Sequence, residues 1–243
     1  FFEDFVGPND HWLPPDHFQE IPHARVASYT SPTNIGLLLL STLAAYDLGY
    51  IGIAALVSRL RSTFESLERL ERFRGHFLNW YDTRTLEALL PRYVSTVDSG
   101  NLAACLRILG QACQQIPSMP VLRWQRWEGV AATFAMLDDF MRDLETAKNI
   151  PAATELHELT RELRERVLSV KDDPDAWLPA LQYVTGAGWQ RLEVLLARLV
   201  EENAATLSTA ALGSLRIAAG RISNQIFSFQ RFLDMLLPGL LLL

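Results

Sequence analysis

One stretch decides the fold: Ser31-Pro32-Thr33-Asn34-Ile35-Gly36-Leu37-Leu38-Leu39-Leu40-Ser41-Thr42-Leu43-Ala44-Ala45-Tyr46-Asp47-Leu48-Gly49. Serine is a favoured N-cap and proline is favoured at the first helical position, so a helix is predicted to begin at Ser31-Pro32. Gly49 is predicted to end it as a C′ glycine. Apolar side chains occupy nearly every face of this segment, which is typical of a helix that is buried on all sides.

The segments that follow alternate in character. Residues 51–70 carry one apolar stripe with charges elsewhere, which indicates an outer amphipathic helix. Residues 73–97 form an aromatic and polar loop, after which Asp98 or Ser99 is predicted to cap a third, largely apolar helix that Pro117 ends. Alternation of fully buried and amphipathic helices is what an (α/α) toroid would show, with inner helices packed on most faces.

The second half of the chain has a different organisation. Four long amphipathic helices are predicted at 121–148, 152–170, 175–204 and 208–237, the third interrupted near Gly186 and Gly188. Mixed charges around Glu162 indicate a solvated helix face. No convincing strand pattern occurs. The sequence therefore predicts an all-α chain, with a partial (α/α) toroid over residues 1–117 and long antiparallel helical hairpins over residues 118–243.

Composition limits the class of protein. The 243 residues are 49% hydrophobic, which is enough to build a core, and the net charge of −6 argues against a nucleic-acid partner. Cys105 and Cys113 lie eight residues apart in a helical stretch, about 12 Å along the axis. That separation is too long for a disulfide, and both are predicted to be reduced thiols in the core.

The apolar runs at 35–40 and 236–243 are too short to span a bilayer, so no membrane span is expected in this segment. The sequence has no initiator methionine, and Leu240–Leu243 is apolar without a cap or polar tail. We therefore expect both ends to be cut from a longer chain.

Common catalytic and metal-binding motifs are not found. His11, His17 and His23 are evenly spaced, but on a proline-rich loop rather than on one helix face. The His-Glu-x-x-His and Cys-x-x-Cys spacings do not occur, so no metal is expected. Neither a Walker loop, a Gly-x-Gly-x-x-Gly turn nor a Gly-x-Ser-x-Gly elbow is present, so no cofactor is expected in this chain.

Three clusters that combine aromatic rings with amides and carboxylates remain. Their candidate carbohydrate-binding residues are Trp12, Asp16, Asn34, Asn79, Trp80, Tyr81, Asp82, Asp98 and Asn101. Two clusters adjoin the predicted inner helices and would gather at one mouth of a toroid. Aromatic faces stack on sugar rings, and amides and carboxylates hydrogen-bond to hydroxyl groups.

The same residues also have structural interpretations. Asp98 is favoured as a helix cap, whereas for residues 80–82 a place in the core and a place in a sugar site are equally supported. Glycoside chemistry usually needs two placed carboxylates, and the sequence identifies no such pair.

Several ordered blocks resemble the central domain of cyclic β-1,2-glucan synthases and together cover about residues 1–115. They include Trp12-Leu13-Pro14-Pro15-Asp16, Thr30-Ser31-Pro32-Thr33-Asn34-Ile35-Gly36, Phe73-Arg74-Gly75-His76-Phe77, Asn79-Trp80-Tyr81-Asp82-Thr83 and Pro91-Arg92-Tyr93-Val94-Ser95-Thr96-Val97-Asp98-Ser99-Gly100-Asn101. The second half resembles the variable helical insertion of that family in character only. His17 stands where the family pattern has asparagine.

The resemblance implies a large bacterial inner-membrane enzyme, in which one module extends a β-1,2-glucan from UDP-glucose. A central (α/α)6 domain cuts and cyclises that glucan by transglycosylation, and a phosphorylase-like module adjusts its length. The two catalytic glutamates of the central domain lie in Met-Phe-Glu-Tyr and Ser-Glu-Ser motifs, and this chain contains neither.

The chain is accordingly expected to be the N-terminal part of that (α/α)6 domain followed by a helical insertion. It would be a cytoplasmic segment that contacts β-1,2-glucan and the remaining domains of its parent chain, inactive alone and without a catalytic residue. Two alternatives stay open. One is a stand-alone helical interaction protein, and the other is part of a β-1,2-glucanase-like hydrolase whose acids lie elsewhere.

Overall fold

The computed structural model describes residues 1–120, 122–148, 150–203 and 207–236. These residues form two compact units. Phe1–Asp47 and Ile53–Val121 make the first unit, and Leu48–Gly52 and Leu122–Leu243 make the second. Most of the described residues are helical, which confirms the all-α prediction. The closed toroid stays a prediction.

The described residues of the first unit contain four α-helices. They are α1 (Phe2–Phe5), α2 (Pro32–Asp47), α3 (Ile53–Arg69) and α4 (Thr96–Gln115), and α2 packs against both α3 and α4. Side chains from all three long helices and from the loops between them share one apolar core: Leu13, Ile35, Leu39, Leu43, Leu67, Tyr81, Leu102 and Leu109. Burial of these side chains holds the loops against the helices.

The start and end of α2 agree with the sequence signals. Pro32 occupies the first helical position, and the backbone N–H of Asn34 donates to Ser31 Oγ at 3.3 Å. Gly49 follows the helix at φ 79°, a left-handed conformation that favours glycine. A Cβ atom at Gly49 would lie 1.7 Å from the carbonyl oxygen of Gln125, so a side chain has no room there.

The start of α4 differs from its prediction. Ser95 is the N-cap, because its Oγ accepts a hydrogen bond from the backbone N–H of Asp98 at 3.2 Å. The prediction that Asp98 or Ser99 caps this helix is therefore wrong. The prediction that α4 is buried on most of its faces is also wrong. It packs along α2 with Leu102, Cys105 and Leu109 buried, while Ile108 is 53% exposed.

Three short strand pairs, which the sequence did not predict, tie the loops of the first unit together. β1 (Phe18–Gln19) pairs with β2 (Arg25–Val26), β3 (Tyr29–Thr30) with β6 (Tyr81–Asp82), and β4 (Arg72–Phe73) with β5 (His76–Phe77), all antiparallel. Each strand has only two residues, too few to show an alternating pattern. The β3–β6 pair brings the segment before α2 beside the aromatic loop before α4.

The second unit consists of α5 (Trp124–Lys148), α6 (Pro151–Ser169), α7 (Trp177–Tyr183), α8 (Trp189–Asn203) and α9 (Thr209–Leu236). The helix α5 packs on α6 and α9, and α8 packs on α6. The predicted interruption is observed as a π-helical turn at Val184–Gly188, where Gly186 has φ −97° and ψ −106°. Large buried side chains such as Trp127, Phe134, Leu163 and Phe229 form the core.

Two further predictions can be compared with the structure. Both cysteines are free, but only Cys105 is buried. The prediction that both lie in the core is therefore correct for Cys105 and wrong for Cys113, which is exposed. The apolar residues Leu240–Leu243 and the predicted helix end at residue 237 lie outside the described residues. Across the part of the chain that the structure describes, no helix is both long and apolar enough to cross a membrane.

Candidate functional site

A group of polar and aromatic side chains in the first unit, here called the polar–aromatic cluster, lies at the N-terminal ends of α2 and α4. Contacts and the peptide bond between Thr33 and Asn34 link its members in a closed circuit, and the members come from four separate stretches of the chain. They are Asp16, His17, Tyr29, Thr33, Asn34, Asn79, Trp80, Asp98 and Asn101.

The first link joins the proline-rich loop to α2. The side-chain amide of Asn34 donates to Asp16 Oδ1 at 2.8 Å. The backbone of Asp16 is itself fixed, because its N–H donates to the carbonyl oxygen of Ala27 at 3.2 Å. The other carboxylate oxygen of Asp16 lies 2.9 Å from Nδ1 of His17. Asp16 therefore has a fixed position at the first turn of α2.

Asp98 joins α2 to α4. Its Oδ1 accepts a hydrogen bond from Thr33 Oγ1 at 2.6 Å, and its Oδ2 accepts one from Ser95. Asn101, one turn further along α4, donates to Thr33 Oγ1 at 3.0 Å. With the Asn79 amide oriented so that both its oxygen and its nitrogen have partners, its nitrogen donates to Asp98 Oδ2 at 3.1 Å. One carboxylate thus connects three separate segments of the chain.

These contacts also fix the charge of Asp98. Burial by itself would raise the pKa of Asp98, but hydrogen bonds from Ser95 and Thr33 outweigh it and hold that pKa below the usual value. A carboxylate that accepts this many hydrogen bonds stays ionised and cannot serve as a proton donor. The geometry of Asp98 therefore supports a positioning role rather than that of a general acid.

Asn79 carries the circuit from Asp98 to the aromatic loop. Its side-chain oxygen accepts hydrogen bonds from the indole N–H of Trp80 at 2.6 Å and from the hydroxyl of Tyr93 at 2.8 Å. Its backbone N–H donates to the carbonyl oxygen of Tyr93 at 2.9 Å. Asn79 is buried, so it holds the rings of Trp80 and Tyr93 in position from the protein interior.

Aromatic contacts close the circuit. The rings of Trp80 and Tyr29 meet edge to face with centroids 5.2 Å apart, and those of Tyr29 and His17 with centroids 6.2 Å apart. Trp80 and Tyr29 are half-buried, whereas His17 and Asn101 are exposed. The cluster therefore presents aromatic edges beside amide and carboxylate groups to solvent.

Three of the residues predicted for the site lie apart from this circuit. The Tyr81 ring is 0% exposed, and its hydroxyl donates to the Glu71 carbonyl oxygen at 2.6 Å and accepts from the Leu78 N–H at 2.6 Å. Tyr81 is therefore part of the core, which is one of the two places that the sequence left open for it. Asp82 caps a turn by accepting from the backbone N–H groups of residues 84 and 85. Trp12 contacts α3, since its carbonyl oxygen accepts from Thr63 at 3.2 Å.

Some residues of the circuit, and others that contact it, were not predicted as site residues. Thr33 belongs to the circuit, and Ser95 and Tyr93 contact it; all three lie inside the blocks that resemble the synthase family, and a serine three residues before Asp98 is a recognisable capping signal. Tyr29 and His17 carry no local signal, because their roles depend on pairing between distant segments.

The cluster combines hydrogen-bonding groups with aromatic edges. Its carboxylates are those of Asp16 and Asp98, and both already accept hydrogen bonds from neighbouring side chains. Within the described ranges, no three His, Cys, Asp or Glu side chains converge as metal ligands do. The arrangement can accept and donate hydrogen bonds to a polyhydroxylated ligand while an aromatic edge contacts its C–H groups.

Comparisons with known proteins give one informative similarity. No protein-family model matches the chain. The cyclic beta-(1,2)-glucan synthase NdvB of Rhizobium meliloti (strain 1021) is 42% identical to this chain over 145 residues. The match covers 59% of this chain and 5% of that protein, so the chain corresponds to a small part of it. The resemblance to cyclic β-1,2-glucan synthases found in the motifs is thereby confirmed.

Proposed function

We propose that this chain is a segment of a cyclic β-1,2-glucan synthase and that its polar–aromatic cluster contacts the glucan. The observation that carries the proposal is the closed circuit from Asp16 through Asp98 and Trp80 back to Asp16, in a chain similar to such a synthase. Rigid amides, a carboxylate and an aromatic edge at one surface are the groups that a neutral sugar needs.

The segment belongs, in this proposal, to the domain that cyclises the glucan by transglycosylation. It positions the glucan and leaves the chemistry to other parts of the parent chain. Asp98 is held ionised by its hydrogen bonds, and the motifs with the family's catalytic glutamates do not occur in the sequence. Hydrolysis or transfer of a glycosidic bond usually needs two carboxyl groups placed across that bond.

The surroundings of the segment follow from the same proposal. The parent protein is an inner-membrane enzyme of a bacterium, and this segment lies on its cytoplasmic side against the remaining domains. UDP-glucose serves the transferase module of the parent rather than this segment. The segment therefore meets glucan that another module has already made.

Calorimetric titration of the chain with linear β-1,2-glucan oligosaccharides tests the proposal. Saturable binding is expected, with much weaker binding of β-1,4-linked glucans of equal length. Trp80→Ala should weaken the binding, whereas Trp124→Ala, a half-buried tryptophan of the second unit, should not. Equal affinity for both glucans, or no binding at all, would favour a helical interaction protein instead.

Incubation of the same chain with linear β-1,2-glucan tests the absence of catalysis. No shortened or cyclic product is expected. Formation of either product at a rate that scales with protein concentration would contradict the positioning role and favour a hydrolase of the β-1,2-glucanase type.

A further inference from the structure

A cavity of about 490 Å³ lies in the first unit beside the polar–aromatic cluster. The β4–β5 hairpin and the residue before it supply Glu71, Phe73, Arg74 and His76, and the segment before α4 supplies Arg92 and Tyr93. Cavities of about 300–1,000 Å³ are typical of small-molecule sites. The side chains of Glu71, Phe73, Arg74, His76 and Arg92 take no part in the polar–aromatic cluster, whereas the hydroxyl of Tyr93 contacts Asn79.

The walls of this cavity have a fixed backbone. The carbonyl oxygen of Glu71 accepts the hydrogen bond from the buried hydroxyl of Tyr81 at 2.6 Å, and the backbone N–H of Leu78, another lining residue, donates to the same hydroxyl. The Tyr93 carbonyl oxygen accepts a hydrogen bond from the backbone N–H of Asn79. The cavity is therefore formed before a ligand arrives, which lowers the entropic cost of binding.

An ion pair forms the polar part of the cavity lining. Arg92 Nη2 donates to the Glu71 carboxylate, and both side chains are about half exposed. An isolated pair of this exposure adds little to stability. Side by side, however, the guanidinium offers several fixed donors and the carboxylate offers acceptors, so together they match two adjacent hydroxyl groups.

The apolar wall is aromatic. Phe73 is 57% exposed and Tyr93 is 45% exposed, although both line the cavity. The guanidinium of Arg74 lies 5.4 Å from the centroid of the Phe73 ring, a cation–π distance that limits the freedom of the ring. Exposed rings and a polar ion pair in one cavity lining provide the apolar and polar surfaces that a sugar ring requires.

The ion pair favours a neutral ligand over an anion at Arg92. The charge of Arg92 is already compensated by Glu71, whereas Arg74 keeps its positive charge beside the Phe73 ring. An anion would have to compete with the Glu71 carboxylate for Arg92, whereas a neutral sugar can bind both members of the pair.

Tyr93 connects the cavity to the polar–aromatic cluster. Its ring lines the cavity, and its hydroxyl donates to the Asn79 side chain within the circuit that orients Trp80. We propose that the cavity is a second glucan subsite, in which the Arg92–Glu71 pair and the Phe73 ring hold glucosyl units continuous with those at the polar–aromatic cluster. This inference rests on the proposed function, because it takes β-1,2-glucan as the ligand.

Calorimetric titration of the full 243-residue chain with linear β-1,2-glucan oligosaccharides of increasing length tests the subsite. Affinity should rise with length until both places are filled. Phe73→Ala and Arg92→Gln should each weaken the binding of long oligosaccharides about tenfold, which corresponds to about 1.4 kcal/mol. Phe64→Ala on α3 and Arg107→Gln on α4 are matched exposed controls that should bind as the unmodified chain does.

The outcomes separate this inference from the proposed function. If the unmodified chain binds, Trp80→Ala weakens binding and both cavity variants bind normally, the subsite is overturned while the cluster proposal stands. If the unmodified chain does not bind β-1,2-glucan, both proposals fail. Amide NMR shifts at residues 71–76 that respond to inorganic phosphate but not to the glucan would also overturn the subsite. Circular dichroism of each variant checks that it has folded.

Discussion

Asp98 accepts a hydrogen bond from Thr33 at 2.6 Å and thereby joins the first turn of α4 to the first turn of α2. The carboxylate also accepts from Ser95 and from the Asn79 amide, so its loss would free two loops as well as one helix end. The arrangement of the polar–aromatic cluster depends on this contact, and the first prediction follows from it.

Asp98→Asn should lower the free energy of unfolding at pH 7 by about 1–3 kcal/mol, because hydrogen bonds to a charged acceptor are lost. The folded-state pKa of Asp98 is lowered, so its contribution is complete above the unfolded value of about 3.9. The contribution is lost as the pH falls through the folded pKa. The difference between wild type and variant should thus be constant near neutrality and shrink below about pH 4.

Denaturant unfolding at several pH values measures this difference. Asp172→Asn, an exposed aspartate of the second unit, is the control and should show no comparable change. A difference that grows as the pH falls below about 4 would contradict the assignment of the charged form.

Tyr81→Phe should destabilise the first unit by about 1–3 kcal/mol, because the Leu78 N–H loses its partner and the Glu71 carbonyl oxygen loses another. Thermal unfolding followed by circular dichroism would measure the effect. Tyr50→Phe removes the hydroxyl of an exposed tyrosine and should have little effect. If the two variants melt alike, the structural assignment of Tyr81 is wrong.

Gly49→Ala should be among the most destabilising single substitutions in the chain. Its φ of 79° disfavours a side chain, and the new Cβ atom would overlap the Gln125 carbonyl oxygen. A loss of more than about 2 kcal/mol is expected. Gly110→Ala is the matched comparison, since a Cβ there meets no atom within 4 Å and alanine favours the helix by about 0.5–1 kcal/mol. The midpoint of denaturant unfolding should therefore fall for Gly49→Ala and rise for Gly110→Ala.

In the second unit, substitution by asparagine should have different effects at two neighbouring aspartates of α5. Asp138 is buried and lies within 2.7 Å of His157 Nδ1 on α6 and 3.0 Å of Arg142, whereas Asp139 is 70% exposed. Asp138→Asn should cost about 1.5–3 kcal/mol, and Asp139→Asn should stay within about 0.5 kcal/mol of wild type. Similar unfolding midpoints for the two would contradict the importance of the α5–α6 contact.

The sequence predicted helices more accurately than site residues, for physical reasons. Helix boundaries depend on local caps, so Pro32 and Gly49 mark the ends of α2 correctly. The cap of α4 was misplaced because Ser95, three residues earlier, takes that role and leaves Asp98 inside the first turn.

Residues 80–82 show why site residues were harder to predict from the sequence than helices. Successive residues of an extended segment point to opposite sides, so Tyr81 enters the core while Trp80 faces Tyr29. Side-chain direction could not be inferred, because the two-residue strand that sets it pairs with a distant segment. The Arg92–Glu71 pair is likewise a product of tertiary structure and has no sequence signal.

The indole N–H of Trp80 is the most direct reporter of the central claim, because it donates to Asn79 inside the polar–aromatic cluster. Its ¹⁵N–¹H NMR signal can be identified as the one that Trp80→Phe removes. We predict that linear β-1,2-glucan shifts this signal saturably, and that a β-1,4-linked glucan of the same length does not. An unchanged Trp80 signal at saturating β-1,2-glucan would contradict glucan binding at this cluster.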